Sequence, residues 1–415
     1  YGKQDWKTFE RGQENCYLMT NGLGGYSSLT MTGSAARNDH AFLMACTKAP
    51  NNRYNMIHRL AEQLETGREV YTMSSQEFAD RSREKGYRYL TEFVYEDTPV
   101  WRFLINGVEI EKEAALKQDE NTAAVCYRVT NRSGKDVRLT VTPFYQFAPK
   151  GGGEELNGTF RHLAGRMENG HLGLYYMTNG CVTEIPETKE QYYYSYDACD
   201  GRKSTGSAEA CHRISLDVES GGSSTLSVVF SVERDFAEEQ TRSAVDVAES
   251  VIQEMKEGRK KLELQSGLCD ETARFLVKSA HQFVSRRKST GGKTILAGFP
   301  FFEDWGRDTM IALPGVCLST RQYEDARSIL RTFARYERQG LMPNLFPEGK
   351  NEPRYNTADA ALLFINCVWL YYRASSDAAF IEEMYPVMER IITSYQNGTD
   401  YDIRMDDDCL ITAGS

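Results

Sequence analysis

The residue types that could do chemistry in this 415-residue chain gather in two short stretches. The first reads Gly298-Phe-Pro-Phe-Phe-Glu-Asp-Trp305-Gly-Arg307-Asp308-Thr-Met, with three phenylalanines, a tryptophan, an arginine and three carboxylates at the entry of a predicted helix. Aromatic faces pack against the C–H faces of a sugar ring. A guanidinium offers a fixed fork of donors to hydroxyl oxygens, and a carboxylate accepts from hydroxyl protons. A purely structural reading also stands, in which Asp308 caps the helix, Arg307 pairs with it and the aromatics are core. The second stretch is Gly340-Leu-Met-Pro-Asn344-Leu-Phe, followed by Tyr355-Asn356-Thr-Ala-Asp359-Ala. Asn356 is a good helix N-cap, and Asp359, three residues on, can complete a capping box. Placement favours a functional role, because each stretch opens a helix that follows a long loop.

The surrounding elements are read from periodicity. Before about Asp235 the apolar residues alternate with period two between Gly, Asn and Ser turns, which predicts a large antiparallel sandwich over residues 1–234. The clearest hairpin joins Val100–Ile105 to the run from Val108 across Asn106-Gly107, since both turn residues tolerate the positive φ of a type I′ turn. A second hairpin is expected between Ala123–Thr130 and Asp136–Pro143. Residues 235–265 are charged, contain alanine and predict a linker helix. From 266 to 415 strands are expected to give way to helices at Glu271–Arg286, Arg307–Ser319, Gln322–Arg338, Thr357–Arg373 and Asp377–Gln396. Long loops precede the second and fourth of these, and short turns follow them. Helical hairpins repeated in this way suit a toroid whose long loops gather on one face, and function sits on loops held by a rigid scaffold.

Composition narrows the partner. With 40% hydrophobic and 26% charged residues the chain reads as globular. A formal charge of −10 argues against nucleic acid, which requires a basic surface, whereas a neutral sugar suits it. Ten cysteines without Cys-x-x-Cys spacing read as reduced, mostly buried thiols. Six dispersed histidines, with Cys211 adjacent to His212, lack zinc-site spacing, so no metal and no other cofactor is expected. The longest apolar run, Ala360–Tyr372, contains Asn366 and is too short to span a bilayer, so no membrane partner is expected. The chain begins at Tyr1 and shows no secretory signal, and a cytoplasmic location is expected. Asn21-Gly-Leu-Gly-Gly lacks the third glycine of a dinucleotide fingerprint and predicts a hairpin or sharp bend.

Gly298–Ile311, Leu341–Phe346 and Tyr355–Ala360 resemble the amylo-α-1,6-glucosidase domain of bacterial and archaeal glycogen debranching enzymes, and Thr20–Ser28 resembles the start of their N-terminal sandwich. The resemblance implies a multidomain β + α chain, a supersandwich-like β-sandwich followed by about the first five helices of an (α/α)6 toroid. The Trp-x-Arg-Asp element is also similar to one in glucoamylases. This implies that Trp305, Arg307 and Asp308 hold the terminal glucose, with Asn344, Tyr355, Asn356 and Asp359 lining the same pocket. Phe301 stands where the family has tryptophan.

The family's reaction is hydrolysis of α-1,6-linked branch glucose in glycogen, branched α-glucan or maltooligosaccharide, with inversion. It needs a protonated acid and a separate base about 6.5–9.5 Å apart. Asp308 fits the acid poorly, because a helix N-terminus favours a charged carboxylate. In the family the acid lies in a Thr-Trp-Met-Asp segment and the base much later. Both are therefore expected after Ser415, with no catalytic carboxylate in this chain and no activity from it alone. An incomplete toroid is also expected to leave Phe380, Met384, Val387 and Ile391 without their neighbour. Competing readings are a trehalase-like hydrolase, a disaccharide phosphorylase dependent on inorganic phosphate, and a non-catalytic glucan-binding module.

Overall fold

The computed structural model describes residues 1–153, 159–238, 242–346 and 352–413. Residues 239–241 of the expected linker helix and 347–351 of the second long loop fall outside these. The chain forms two compact units. One comprises Tyr1–Asn21, Gly25–Thr47 and Arg53–Gly258, and the other Gly22–Gly24, Lys48–Asn52 and Arg259–Ser415.

The first unit is a sandwich of two eight-stranded antiparallel sheets. One sheet runs in the order Met19–Thr20, Tyr26–Ser28, Ala41–Lys48, Asn52–Thr66, Val137–Pro149, Thr205–Val218 and Cys181–Tyr193, with Glu69–Thr72 also on Asn52–Thr66. The other runs Arg161–Leu163, Arg166–Asn169, Leu172–Thr178, Ser223–Ser231, Thr122–Asn131, Val108–Leu116, Pro99–Ile105 and Leu90–Tyr95. Their inner faces share one core, in which Phe42 meets Phe230 edge-on with ring centroids 6.4 Å apart. Buried Glu62 of the first sheet pairs with Lys112 of the second and accepts from the Tyr127 hydroxyl at 2.8 Å. Two one-turn helices, α1 (Phe9–Gln13) and α2 (Ser195–Cys199), lie in this unit.

The Asn106-Gly107 hairpin forms, with φ of 46° and 83° at its two turn residues. The hairpin expected at 123–143 does not. Thr122–Asn131 pairs with Val108–Leu116 and Ser223–Ser231 in one sheet, whereas Val137–Pro149 pairs with Asn52–Thr66 and Thr205–Val218 in the other. The chain crosses between the sheets, and the buried Asn131 amide secures the crossing by donating to the carbonyls of Lys135 (2.8 Å) and Val218 (3.1 Å). All ten cysteines are free, but only Cys46, Cys126, Cys317 and Cys367 are buried, fewer than expected.

The helix α3 (Ala244–Ser266) spans the boundary of the units at Gly258. The second unit holds α4 (Glu271–His281), α5 (Gly306–Leu313), α6 (Tyr323–Ala334), α7 (Asp359–Ser375) and α8 (Ala378–Asn397). Asp270 and Asp377 cap α4 and α8 by accepting from Ala273 N (2.9 Å) and Phe380 N (3.1 Å). After α5 the chain winds one π turn over Pro314–Leu318, closed by Ser319 N donating to Pro314 O at 2.9 Å. The expected absence of strands is corrected here: Val284–Arg287 and Gly292–Ile295 form a hairpin, and α4 stops five residues before the predicted end. Phe380, Met384, Val387 and Ile391 are buried in a core with Phe333, Phe364 and Tyr371, contrary to the expectation that they lack a neighbour. The large apolar side chains exposed on these helices are others, among them Ile311, Trp369, Tyr385 and Ile392. No helix among the described residues is long and apolar enough to cross a membrane.

Candidate active site

The two stretches singled out by residue type lie side by side within the second unit. Trp305 has extended backbone and forms a β-bridge with Leu345, which bridges in turn to Arg354. Gly306 N donates to Asn344 O at 2.8 Å, and Asn344 N to Arg354 O at 2.7 Å. The glycine of Trp-Gly-Arg-Asp is required by this approach, since a Cβ at Gly306 would stand 1.9 Å from Pro343 O. This backbone lattice fixes where α5 begins, and with it Arg307 and Asp308.

Arg307 Nε donates to Asp359 Oδ2 at 2.5 Å, joining the first turn of α5 to the first residue of α7. Both side chains are about half exposed, at 50% and 45%. The bond to Asp359 raises the Arg307 pKa above its ordinary value, so the guanidinium stays charged. Asn344 is buried and its amide donates to Asn356 Oδ1 at 3.1 Å. Tyr355 is half-buried, and its hydroxyl donates to Tyr336 O at 2.7 Å. Burial pushes the phenol's pKa up, with Arg338 opposing. Asp308 and Asn356 are exposed. Asp359 Oδ1 and Thr357 Oγ1 are buried without a hydrogen-bond partner among the described residues, and ligand hydroxyls are the kind of group that satisfies such atoms.

The purely structural alternatives are not realised. The N-cap of α5 is Trp305, without a side-chain bond, and Arg307 pairs with Asp359 and not with Asp308. The N-cap of α7 is Ala358, so Asn356 and Asp359 form no capping box.

Sequence reasoning missed the cluster beneath these residues. Asp304, next to Trp305, is fully buried. It is ion-paired with Arg287 and accepts from Asn51 Nδ2 (3.1 Å) and Thr294 Oγ1 (3.2 Å). Asn51 also donates to Phe346 O at 3.3 Å, and the Arg287 guanidinium lies 3.9 Å over the Phe346 ring. Burial raises the Asp304 pKa above the usual carboxylate range, against the pull of Arg287, Asn51 and Thr294. The one local signal was a carboxylate between aromatic residues. Its partner Asn51 lies 253 positions away, beyond any sequence pattern. Asn51 arrives on a bend whose Pro50 carbonyl abuts Gly24, where φ is +91° and a Cβ would stand 2.0 Å from that oxygen. Among the described residues no three His, Cys, Asp or Glu side chains gather as metal ligands.

A two-sheet sandwich followed by paired helices whose starts carry the clustered polar residues defines the class, a β-sandwich joined to part of an (α/α)6 toroid. The fold is shared with a solved protein assigned as a kojibiose phosphorylase from the human microbiome, at a TM-score of 0.50 and 9% identity, covering 97% of this chain and 59% of that one. A bacterial glucoamylase complexed with acarbose superposes with a TM-score of 0.44 and 12% identity, covering 93% of this chain and 58% of its own. Residues 15–225 match the family profile described as glycogen debranching enzyme N terminal, and residues 278–415 match that of amylo-alpha-1,6-glucosidase. The chain belongs to the glycogen debranching enzyme family. It is 41% identical over 101 residues to the glycogen debranching enzyme of Saccharomyces cerevisiae, which covers 22% of this chain and 6% of the yeast protein. The chain thus spans a small part of that relative and under two thirds of either solved structure.

Proposed function

We propose that this chain supplies the glucose-holding part of a glycoside hydrolase that removes α-1,6-linked branch glucose from glycogen or a similar cytoplasmic α-glucan, with inversion. The observation that carries the reading is the Arg307–Asp359 pair at the joined starts of α5 and α7. Trp305 offers a ring to the C–H face of the sugar. Arg307 and Asp308 offer a donor fork and an acceptor to its hydroxyls, and Asn344, Tyr355, Asn356 and Asp359 complete the pocket. In this reading residues 1–234 are the sandwich domain, 235–265 a connecting helix, and 266–415 the opening helices of the toroid.

None of the pocket residues serves as proton donor. Asp308 and Asp359 open their helices as substrate-holding groups, and Asp359 is already paired with Arg307. By the family's pattern the acid and the base lie in residues following Ser415, separated by the water-wide gap of an inverting enzyme. The test is a longer enzyme incubated with branched limit dextrin. It should release glucose without inorganic phosphate, as the β-anomer in the first minutes by proton NMR, while the 415-residue chain releases none above a heat-killed control. Initial α-glucose, phosphate dependence, or release by this chain alone would each defeat the reading.

A further inference from the structure

We propose that a cleft on the sandwich unit is a separate carbohydrate site, which takes a linear α-glucan segment. It lies where both sheets end: Arg161–Leu163 is the terminal strand of one and Cys181–Tyr193 that of the other. The cleft has a volume of about 710 Å³, within the range of small-ligand sites. Its walls include His162, Arg166 and Tyr175 from one sheet, Val182 and Glu184 from the other, and Asp235 from the following turn.

Three features fit a sugar chain. The first is flat surfaces. The Arg166 guanidinium lies 4.7 Å over the half-buried Tyr175 ring. Behind this wall the rings of His162 and buried Tyr176 stack within 15° of the fully buried His212, at 4.3 and 5.0 Å, and stiffen it. Burial lowers the His212 pKa to about 3, so the middle ring is uncharged. The second is a fixed row of polar atoms. Glu184 Oε1 lies 3.4 Å from His162 Nδ1, and His162 Nε2 lies 2.8 Å from the Tyr176 hydroxyl. Glu184, 80% exposed, brings the row to the surface. The third is charge: the one guanidinium, already ion-paired with Glu168 at 3.0 Å, stands beside two carboxylates, Glu184 and Asp235, so the wall disfavours an anion. Leu163 and Val182, each more than a third exposed, give the rim apolar contact for C–H faces. A neutral polyhydroxylated chain uses all three features together. The choice of an α-glucan among such chains rests on the function proposed above.

The experiment uses this chain with a diazirine-bearing maltoheptaose, photolysis and peptide mass spectrometry. Adducts are expected within residues 161–184, competed by unlabelled maltoheptaose and not by cellohexaose, and retained in Arg307→Met. Tyr175→Ala and Glu184→Gln should each label about tenfold more weakly, the size of one lost ring or polar contact. Their melting curves should match that of the unaltered chain. No adducts in 161–184, adducts without competition, or labelling of both variants as strong as that of the unaltered chain would overturn the proposal. Branch hydrolysis by the longer enzyme without adducts here would defeat this inference alone. Adducts here without any hydrolysis would defeat only the catalytic reading.

Discussion

The buried Asp304–Arg287 pair makes the sharpest prediction about what holds the candidate site in shape. Asp304 is fully buried and the Arg287 side chain is 8% exposed, so neither charge has water to fall back on if its partner is removed. In Asp304→Asn, Arg287 and Thr294 would both donate toward an amide NH2, and flipping the amide would place that NH2 against Asn51 Nδ2. Breaking one side of a buried pair costs about 3–5 kcal/mol. Arg287→Met keeps some packing over Phe346 but leaves the carboxylate unpaired, so its cost should fall in the same range. Removing both leaves no orphan charge. The double variant should therefore cost less than the sum of the singles by about 2 kcal/mol, within the span measured for contacting residues. Urea unfolding followed at 222 nm reports the helical unit and gives all four corners of the cycle. A single-variant cost below about 1 kcal/mol, or additivity within about 0.5 kcal/mol, would show that the pair does not hold the loop. Because Asp304 immediately precedes Trp305, Asp304→Asn in the longer enzyme should also raise KM more than it lowers kcat.

Arg307→Lys should leave stability within about 0.5 kcal/mol, since the side chain is half exposed, yet lose about 1.5–3 kcal/mol of kcat/KM on branched dextrin. Equal activity would remove Arg307 from the site. Asp308→Asn should weaken binding and turnover while leaving the basic limb of the pH profile in place. A shift of that limb by about one unit would make Asp308 the acid. In the sandwich, burial lowers the His58 pKa from 6.5 to about 3, so the folded state resists a proton that the unfolded chain takes up as pH falls below 6.5. That costs about 1.36 kcal/mol per pH unit, or about 2 kcal/mol at pH 5, and His58→Gln should narrow the stability gap between pH 7 and pH 5 by this amount. An unchanged gap would mean that His58 takes up a proton in the folded state.

Local chemistry was legible wherever neighbours in sequence decide it. Asn106-Gly107 specified its hairpin because both residues accept positive φ, and helices α6, α7 and α8 followed apolar spacing to within a few residues of their ends. The two polar stretches were found from residue type and from the long loops before them. What local chemistry left open was partnership. Asn52–Thr66 places Met56, Ile57, Leu60 and Leu64 at helix-like intervals, yet it is a strand. Both of its faces are covered, and buried Arg59 is held by Glu84 at 2.6 Å and Glu190 at 3.1 Å, the latter 131 positions away. The 123–143 segment reads as a hairpin because its turn residues are right, but its strands find better partners in opposite sheets. At the candidate site the sequence offered Arg307 as the partner of a capping Asp308 and Asp359 as part of a capping box, and the fold paired Arg307 with Asp359 instead. A cap needs only its own helix, whereas an ion pair across 52 positions exists only once backbone bridges have set the helix starts together. Asp304 is the limiting case: its charge is tolerable only inside a cage drawn from residues 51, 287 and 294, and that cage is a property of the folded chain alone.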